Sequence, residues 1–237
     1  MSLKERFIFN FIEDNRWKYL WDGLGATLKV TFFSLLLGVA IGIVIAIIRS
    51  THDKNIKDMK GASKGILKIL DIIARVYLTV IRGTPVVVQL MIMYYVVMVS
   101  STNKILVATI AFGFNSGAYV AEIIRGGLMA LDPGQMEAGR SLGFGYVATM
   151  RHIILPQAFK AVLPALANEF IVLLKETSVA SFVSVADLTY AGNIIGGNSY
   201  DYLFPLLMTA MIYLALVMVL QWLLGILERR LRQGDNR

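Results

Sequence analysis

Five stretches of this chain stay apolar long enough to cross a bilayer, and the segments between them differ sharply in character. Spanning about 30 Å of hydrocarbon takes roughly 20 mostly apolar residues in a helix. Residues 24–48 meet that criterion and stop at Arg49. The next run, 69–99, carries Asp71 and Arg75 and is interrupted by Arg82-Gly83-Thr84-Pro85, which predicts one long helix kinked or broken near Pro85. A polar turn over 100–104 leads to the third span, 105–124; the fourth covers 158–174 and the fifth 203–226. Residues 175–202 are too polar and glycine-rich to face lipid as a helix along their whole length. The expected fold is all-α, a polytopic membrane protein with about five transmembrane helices. It forms a single transmembrane domain over 1–237, with no separate soluble domain.

Composition supports the membrane reading. The chain is 57% hydrophobic and 16% charged, with mean hydropathy +0.65, whereas soluble chains carry about a quarter charged residues. The net charge of +7 would suit a nucleic-acid binder, but its distribution does not. Fourteen Lys and Arg fall in residues 49–68, 125–160 and the tail from 228, against five on the opposite side. By the positive-inside tendency the N-terminus is outside and the C-terminus cytoplasmic, and no nucleic acid is implied. Residues 1–23 then form an external interfacial segment, with Trp17, Tyr19 and Trp21 at headgroup depth. There is no cysteine, so no disulfide or thiolate-metal chemistry is available. His52 and His152 lie far apart and read as solvated loop residues, and no metal site is expected. Gly38 and Gly42 make a G-x-x-x-G pair, which favours close helix packing.

The polar segment 132–156 repays a closer reading. Asp132 suits an N-cap, Pro133 the first helical position, and Gln135 the acceptor of a capping box. A short helix should start at Asp132 and stop near Gly143, where glycine supplies positive φ. A second helical stretch should run from Tyr146 to Ile154, up to Pro156. Gly143-Phe144-Gly145-Tyr146-Val147-Ala148 fits the dinucleotide pattern G-x-G-x-x-A, but the residues before it read as helix, where a strand is required. No G-x-x-x-x-G-K-[ST] occurs, so any ATP must be bound by another chain.

Glu137-Ala138-Gly139, three residues, Gly143, nine residues, Ile153, one residue, Leu155-Pro156 resembles the E-A-A-x3-G-x9-I-x-L-P motif of bacterial ABC importer permeases. Gly139 stands where that motif has its second alanine, a small-for-small change that costs helix propensity. Arg82-Gly83-Thr84-Pro85-Val86-Val87-Val88-Gln89, Ala121-Glu122-Ile123-Ile124-Arg125-Gly126-Gly127 and Leu174-Lys175-Glu176-Thr177-Ser178 are similar to the polar amino acid subfamily, the histidine, glutamine and arginine permeases. The resemblance implies a prokaryotic cell-membrane permease that performs no covalent chemistry and binds no cofactor, with ATP and Mg on a partner ATPase dimer. It implies a coupling segment, 132–156, that docks on the ATPase. A second permease chain, identical or paralogous, an external amino acid-binding protein and a polar amino acid are the other implied partners.

Ionisable groups at membrane depth are costly and mark candidate sites. Asp71 and Arg75 are spaced to pair with each other, as are Glu122 and Arg125. Arg82 is placed either to line a cavity or to satisfy the broken backbone beside it. Glu176 is placed either to pair with Lys175 or Arg82 or to hold the ammonium or basic side chain of an amino acid. By resemblance to permeases with a site within the membrane, Gln89, Glu176, Thr177 and Asn193 are the substrate candidates, against a structural hydrogen-bond network. The alternative function is a secondary amino acid transporter driven by an ion gradient. It predicts internal repeats and acids in mid-span; no clear repeat is visible, and most acids lie near span ends.

Overall fold

In a computed structural model the chain is described over residues 2–56 and 59–233, and no strand occurs among them. Lys57 of the basic segment and residues 234–237 of the basic tail lie outside the described residues. The helices are α1 (Leu3–Phe7), α2 (Trp17–Asn55), α3 (Gly61–Gly83), α4 (Val86–Ile92), α5 (Lys104–Met129), α6 (Gly134–Ser141), α7 (Tyr146–Thr149), α8 (Leu155–Glu176), α9 (Leu188–Ser199) and α10 (Leu203–Gln233). Helices α2, α5, α8 and α10 lie over predicted spans one, three, four and five. The second predicted span is two helices, because Gly83-Thr84-Pro85 breaks it: Pro85 has no N–H to donate and holds an extended backbone, φ −64 and ψ 135. The Pro85 carbonyl accepts the N–H groups of Val88 and Gln89, which starts α4.

One compact unit contains residues up to Leu36, Thr84–Gly113 and Phe170–Leu223. Its core joins Val30 of α2, Leu90 of α4, Phe112 of α5 and Leu173 of α8 to Val183, the last residue of the 3-10 turn Thr177–Val183, and to Val185 just after it. A second cluster packs Phe11 and Leu20 on Leu188 and Ile195 of α9. Gly23 lies so close to the chain before α9 that a Cβ on it would meet the Asp187 carbonyl oxygen at 2.6 Å. Thr27 accepts the Leu188 N–H at 3.1 Å, and Ser34 donates to the Thr109 carbonyl at 3.1 Å. These bonds satisfy backbone and hydroxyl groups that lipid could not. The N-terminal segment is tied to the α9–α10 loop: Arg6 makes a two-pronged contact with Asp201, at 3.1 and 2.8 Å, and the Asn10 amide donates to the same carboxylate. Burial pushes the Asp201 pKa upward, but the Asn10 and Arg6 bonds outweigh it and hold the carboxyl below its usual range. Trp17, Tyr19 and Trp21 are all exposed, Trp21 most of all.

The other unit contains Leu37–Gly83, Phe114–Glu169 and the described residues from Leu224 on. Here Gly38 and Gly42 let α2 lie directly on α5: a Cβ on Gly38 would meet Ser116 at 3.0 Å, and one on Gly42 would meet Val120 at 2.5 Å. Lipid supplies no hydrophobic drive between helices, so close van der Waals approach of small residues holds them together. Helix α3 buries Leu67, Asp71, Ala74 and Leu78, and turns Ile69, Ile72, Ile73 and Val76 outward. An outward face this apolar suits hydrocarbon.

Candidate functional site

The segment 132–156 folds as a helical hairpin, with different details from those its sequence predicts. Helix α6 starts at Gly134, with Pro133 already in helical geometry before it. The Asp132 carboxylate accepts the Gly134 N–H at 2.8 Å. No capping box forms; the Gln135 side chain instead accepts from Gln157 at 3.2 Å. The helix ends in a Schellman motif, with the Phe144 N–H on the Gly139 carbonyl and the Gly143 N–H on that of Arg140. Gly143 has φ +86, which only glycine adopts without strain, and nothing stands within 4 Å of where its Cβ would be. Backbone geometry, not close packing within this chain, fixes its identity.

Gly139 is the opposite case. It is the one buried residue of α6, and a Cβ on it would meet Thr149 Cγ2 at 2.5 Å and Ile153 Cδ1 at 3.0 Å. The motif's alanine does not fit here, so the substitution is a packing requirement of this hairpin. The second arm does not stop at Pro156 either. Helix α7 passes through a π turn, Met150–Ile154, straight into α8. The Leu155 N–H reaches back to Met150, and this wider turn makes room for a proline that would otherwise clash with the preceding turn. Of the motif residues, Glu137 and Ala138 are exposed on α6, Gly139 and Ile153 face each other, and Leu155 and Pro156 begin α8. At the hairpin's tip Leu142, Phe144, Tyr146 and Val147 are exposed, Leu142 and Val147 by 77% and 76%.

The Asp71–Arg75 pair forms at 2.7 Å but belongs to a larger cluster. Asp71, with 3% of its side chain exposed, also takes Arg49 Nη1 of α2 at 2.8 Å. His52 is on α2, not in a loop, with Nδ1 at 3.5 Å from Asp53 and 3.6 Å from Asp71. Arg125 reaches Glu122 at 3.2 Å and Asp53 at 3.7 Å, so the cluster ties α2, α3 and α5 together. His152 is exposed, in the π turn of the hairpin.

The substrate candidates are placed on packed elements, with part of their bonding capacity used locally. Gln89 on α4 donates to the Thr84 carbonyl at 3.1 Å and to its hydroxyl at 2.8 Å, closing the broken end of the helix pair. Thr177 is fully buried and donates to the Leu174 carbonyl at 2.8 Å. Helices α4 and α9 both pack against the 3-10 turn that Thr177 opens, and Asn193 is exposed on α9. Glu176 is partly buried at the end of α8, and among the described residues no ion pair with Lys175, one of its possible partners, forms. The Arg82 guanidinium lies over the Tyr119 ring at 5.7 Å. Sequence reasoning passed over a further acid: Glu169, in the middle of the fourth span, is buried and accepts the Ser116 hydroxyl of α5 at 2.8 Å. An acid amid an apolar run was the available signal, and Glu169 is an exception among acids that mostly lie near span ends.

Comparison with known proteins adds three findings. A family-wide profile, "binding-protein-dependent transport system inner membrane component", matches residues 61–233. Over 220 residues the chain is 34% identical to the arginine transport system permease protein ArtQ of Bacillus subtilis (strain 168), covering 92% of this chain and 94% of that protein. It is 32% identical over 234 residues to the L-cystine transport system permease protein TcyB of the same organism, covering 98% and 94%. Among solved structures, an amino acid ABC transporter crystallised with histidines is similar at TM-score 0.79 and 40% identity, covering 90% of this chain and 94% of that one. The inward-facing MetNI methionine ABC transporter, at 20% identity and TM-score 0.70 over 98% of this chain and 99% of that one, shares the fold.

Proposed function

The chain belongs to the family of binding-protein-dependent transport system inner membrane components, and from that membership we propose how its geometry serves import of a polar amino acid. It is a membrane permease subunit of an amino acid ABC importer, and the gradient-driven carrier is not favoured. In our reading ATP and Mg are held by a separate ATPase dimer, and this chain binds no cofactor of its own. A second permease chain completes the path, and an external binding protein delivers the substrate. The N-terminus lies outside and the C-terminus in the cytoplasm of a prokaryotic cell.

The observation that carries the docking proposal is the exposed apolar tip of the hairpin, Leu142 and Val147, on a segment too polar for lipid. Exposed apolar groups rimmed by polar ones mark protein interfaces. The proposed docking surface is Ala138 and the tip around Gly143, with Glu137, Gly139, Ile153, Leu155 and Pro156 holding the shape of the hairpin behind it. Because α7 runs through its π turn into α8, a push on the tip acts on a membrane helix directly. Closing and opening of the ATPase then biases two orientations of the permease pair. Inside the membrane, Glu169 is proposed as a residue of the substrate path, because ionisable groups at membrane depth are costly and mark such paths. Gln89, Glu176 and Asn193 are proposed path residues, while Thr177 shapes the turn and Arg82 braces Tyr119.

The chain's lack of cysteine allows a direct test. A single cysteine at Leu142 or Val147 should cross-link to the ATPase in the assembled transporter, and proteoliposomes of the whole complex should take up a polar amino acid only with ATP. An intact complex that cross-links from neither position excludes docking at the tip. Uptake that persists without ATP excludes the importer.

A further inference from the structure

Behind the hairpin, α6 and the ends of α2 and α5 enclose a cleft of about 530 Å3, with Lys54, Asp132, Glu137 and Arg140 in its wall. A more apolar cavity of about 290 Å3, lined by Ile47, Leu128, Met150 and Leu155, shares Lys54, Leu128 and Tyr146 with the cleft. The two lie in series. One end offers two cations and two carboxylates; the other reaches Ile47, inside the apolar run of α2.

The charges in the wall do not neutralise one another. Lys54, Glu137 and Arg140 form no ion pair among the described residues. Asp132 uses one carboxylate oxygen on the Gly134 N–H. A simple anion would gain from Lys54 and Arg140 and be repelled by the two acids, and a simple cation would meet the reverse. A zwitterion satisfies both signs, and the apolar extension asks for hydrocarbon attached to it.

We propose that this double cavity binds a zwitterionic phospholipid with a primary ammonium. Its phosphate faces Lys54 and Arg140, its ammonium faces Asp132 and Glu137, and an acyl chain enters the slot beside Leu128 and Met150. Basic side chains just beyond a membrane helix commonly recruit headgroups; the two acids select against anionic ones. The proposal rests on the reading above only in placing this end of α2 at a bilayer surface. The lipid would brace α6 against α2, making coupling sensitive to headgroup chemistry.

The test uses the whole transporter, permease with its ATPase, in nanodiscs of equal parts phosphatidylethanolamine, phosphatidylcholine and phosphatidylglycerol, with retained lipid identified by native mass spectrometry. Phosphatidylcholine has the same charges but a quaternary ammonium that donates no hydrogen bond. The expected result is retention of phosphatidylethanolamine over either rival by about fivefold, the scale of one net hydrogen bond. Asp132→Asn, which removes a carboxylate facing the ammonium, should bring that preference to parity. Leu128→Trp, which fills the slot without touching a charge, should do the same and serves if the first variant assembles poorly. Equal retention of the three lipids, a preference for phosphatidylglycerol, or an unchanged preference in both variants overturns the proposal. So does protection of a label at Leu128→Cys by the ATPase in a delipidated complex, which would assign the cleft to the partner. Lipid retention is read without uptake, so this result and the substrate assignment fail independently.

Discussion

Gly139 of α6 and Thr149 of α7 are in such close approach that a single β-carbon on Gly139 would stand 2.5 Å from the threonine Cγ2. Gly139→Ala restores the residue of the family motif and gains up to about 1 kcal/mol of helix propensity. Overpacking at a well-fitted contact costs about 1–3 kcal/mol, so the clash wins. The variant should lower uptake and the hairpin's resistance to proteolysis. Thr149→Ser removes Cγ2 and keeps the hydroxyl that donates to the Gly145 carbonyl at 3.1 Å. Adding it to Gly139→Ala should restore both readouts; a double variant as impaired as the single one refutes the steric explanation.

Gly143 is held by its φ of +86 and by nothing packed against it. A β-branched residue there forces strain of about 1–2 kcal/mol and opens the Schellman turn. Gly143→Val should leave membrane insertion intact while uptake falls and ATP hydrolysis no longer responds to substrate. Gly143→Asn, which tolerates the left-handed region, should retain most coupling. Full uptake by the valine variant would show that the tip does not transmit the stroke.

The ion cluster makes unequal demands on its two arginines. Arg49 is 14% exposed and Arg75 55%, and both bind Asp71. Breaking a buried pair leaves an uncompensated charge, at about 3–5 kcal/mol, whereas an exposed pair contributes about 0–1 kcal/mol. Arg49→Ala should therefore destabilise the purified protein far more than Arg75→Ala, as read from thermal unfolding in detergent. Equal losses would mean that the exposed pair carries as much as the buried one.

The Asp201 carboxyl is held below its ordinary range by Asn10 and Arg6. A depressed carboxylate stabilises the fold above its unfolded pKa, and that stability is lost as pH falls through the folded value. The Tm of the wild type should accordingly drop on acidification below the ordinary carboxylate range. Arg6→Ala should show a lower Tm near neutral pH and a smaller acid dependence. Parallel Tm curves for the two proteins would remove Asp201 as the titrating group.

Glu169 and Glu176 are both acids of α8, but only Glu169 is buried, with Ser116 on its carboxylate. Hydrogen bonds to charged groups contribute about 1.5–3 kcal/mol, so Glu169→Gln should raise the KM for amino acid uptake by about tenfold or more. Glu176→Gln should have the smaller effect. Unaltered KM and substrate preference in Glu169→Gln would exclude it from the site.

Segments near 20 apolar residues had to be membrane helices, because lipid offers no partner for a backbone left unpaired. Gly38 and Gly42 forecast close helix packing, which the structure places between α2 and α5, and Asp71 with Arg75 forecast a pair. The capping box at Gln135 failed because Gln157 from the next arm competes for that side chain. His52 looked like a loop residue because α2 continues beyond its apolar run to Asn55, and hydropathy does not mark the end of a helix.

Sequence alone determined the class of molecule and the family motif, since these follow from local composition and fixed spacing. Only the tertiary structure decided what each small or charged residue is for. It separated Gly143, required by its φ, from Gly139, required by a neighbour ten positions away; it joined Arg49 to Asp71 and Ser116 to Glu169 across helices. Those choices depend on which helix faces lie together, and the energy of a buried charge or an added methyl group is set by neighbours that one-dimensional spacing does not contain.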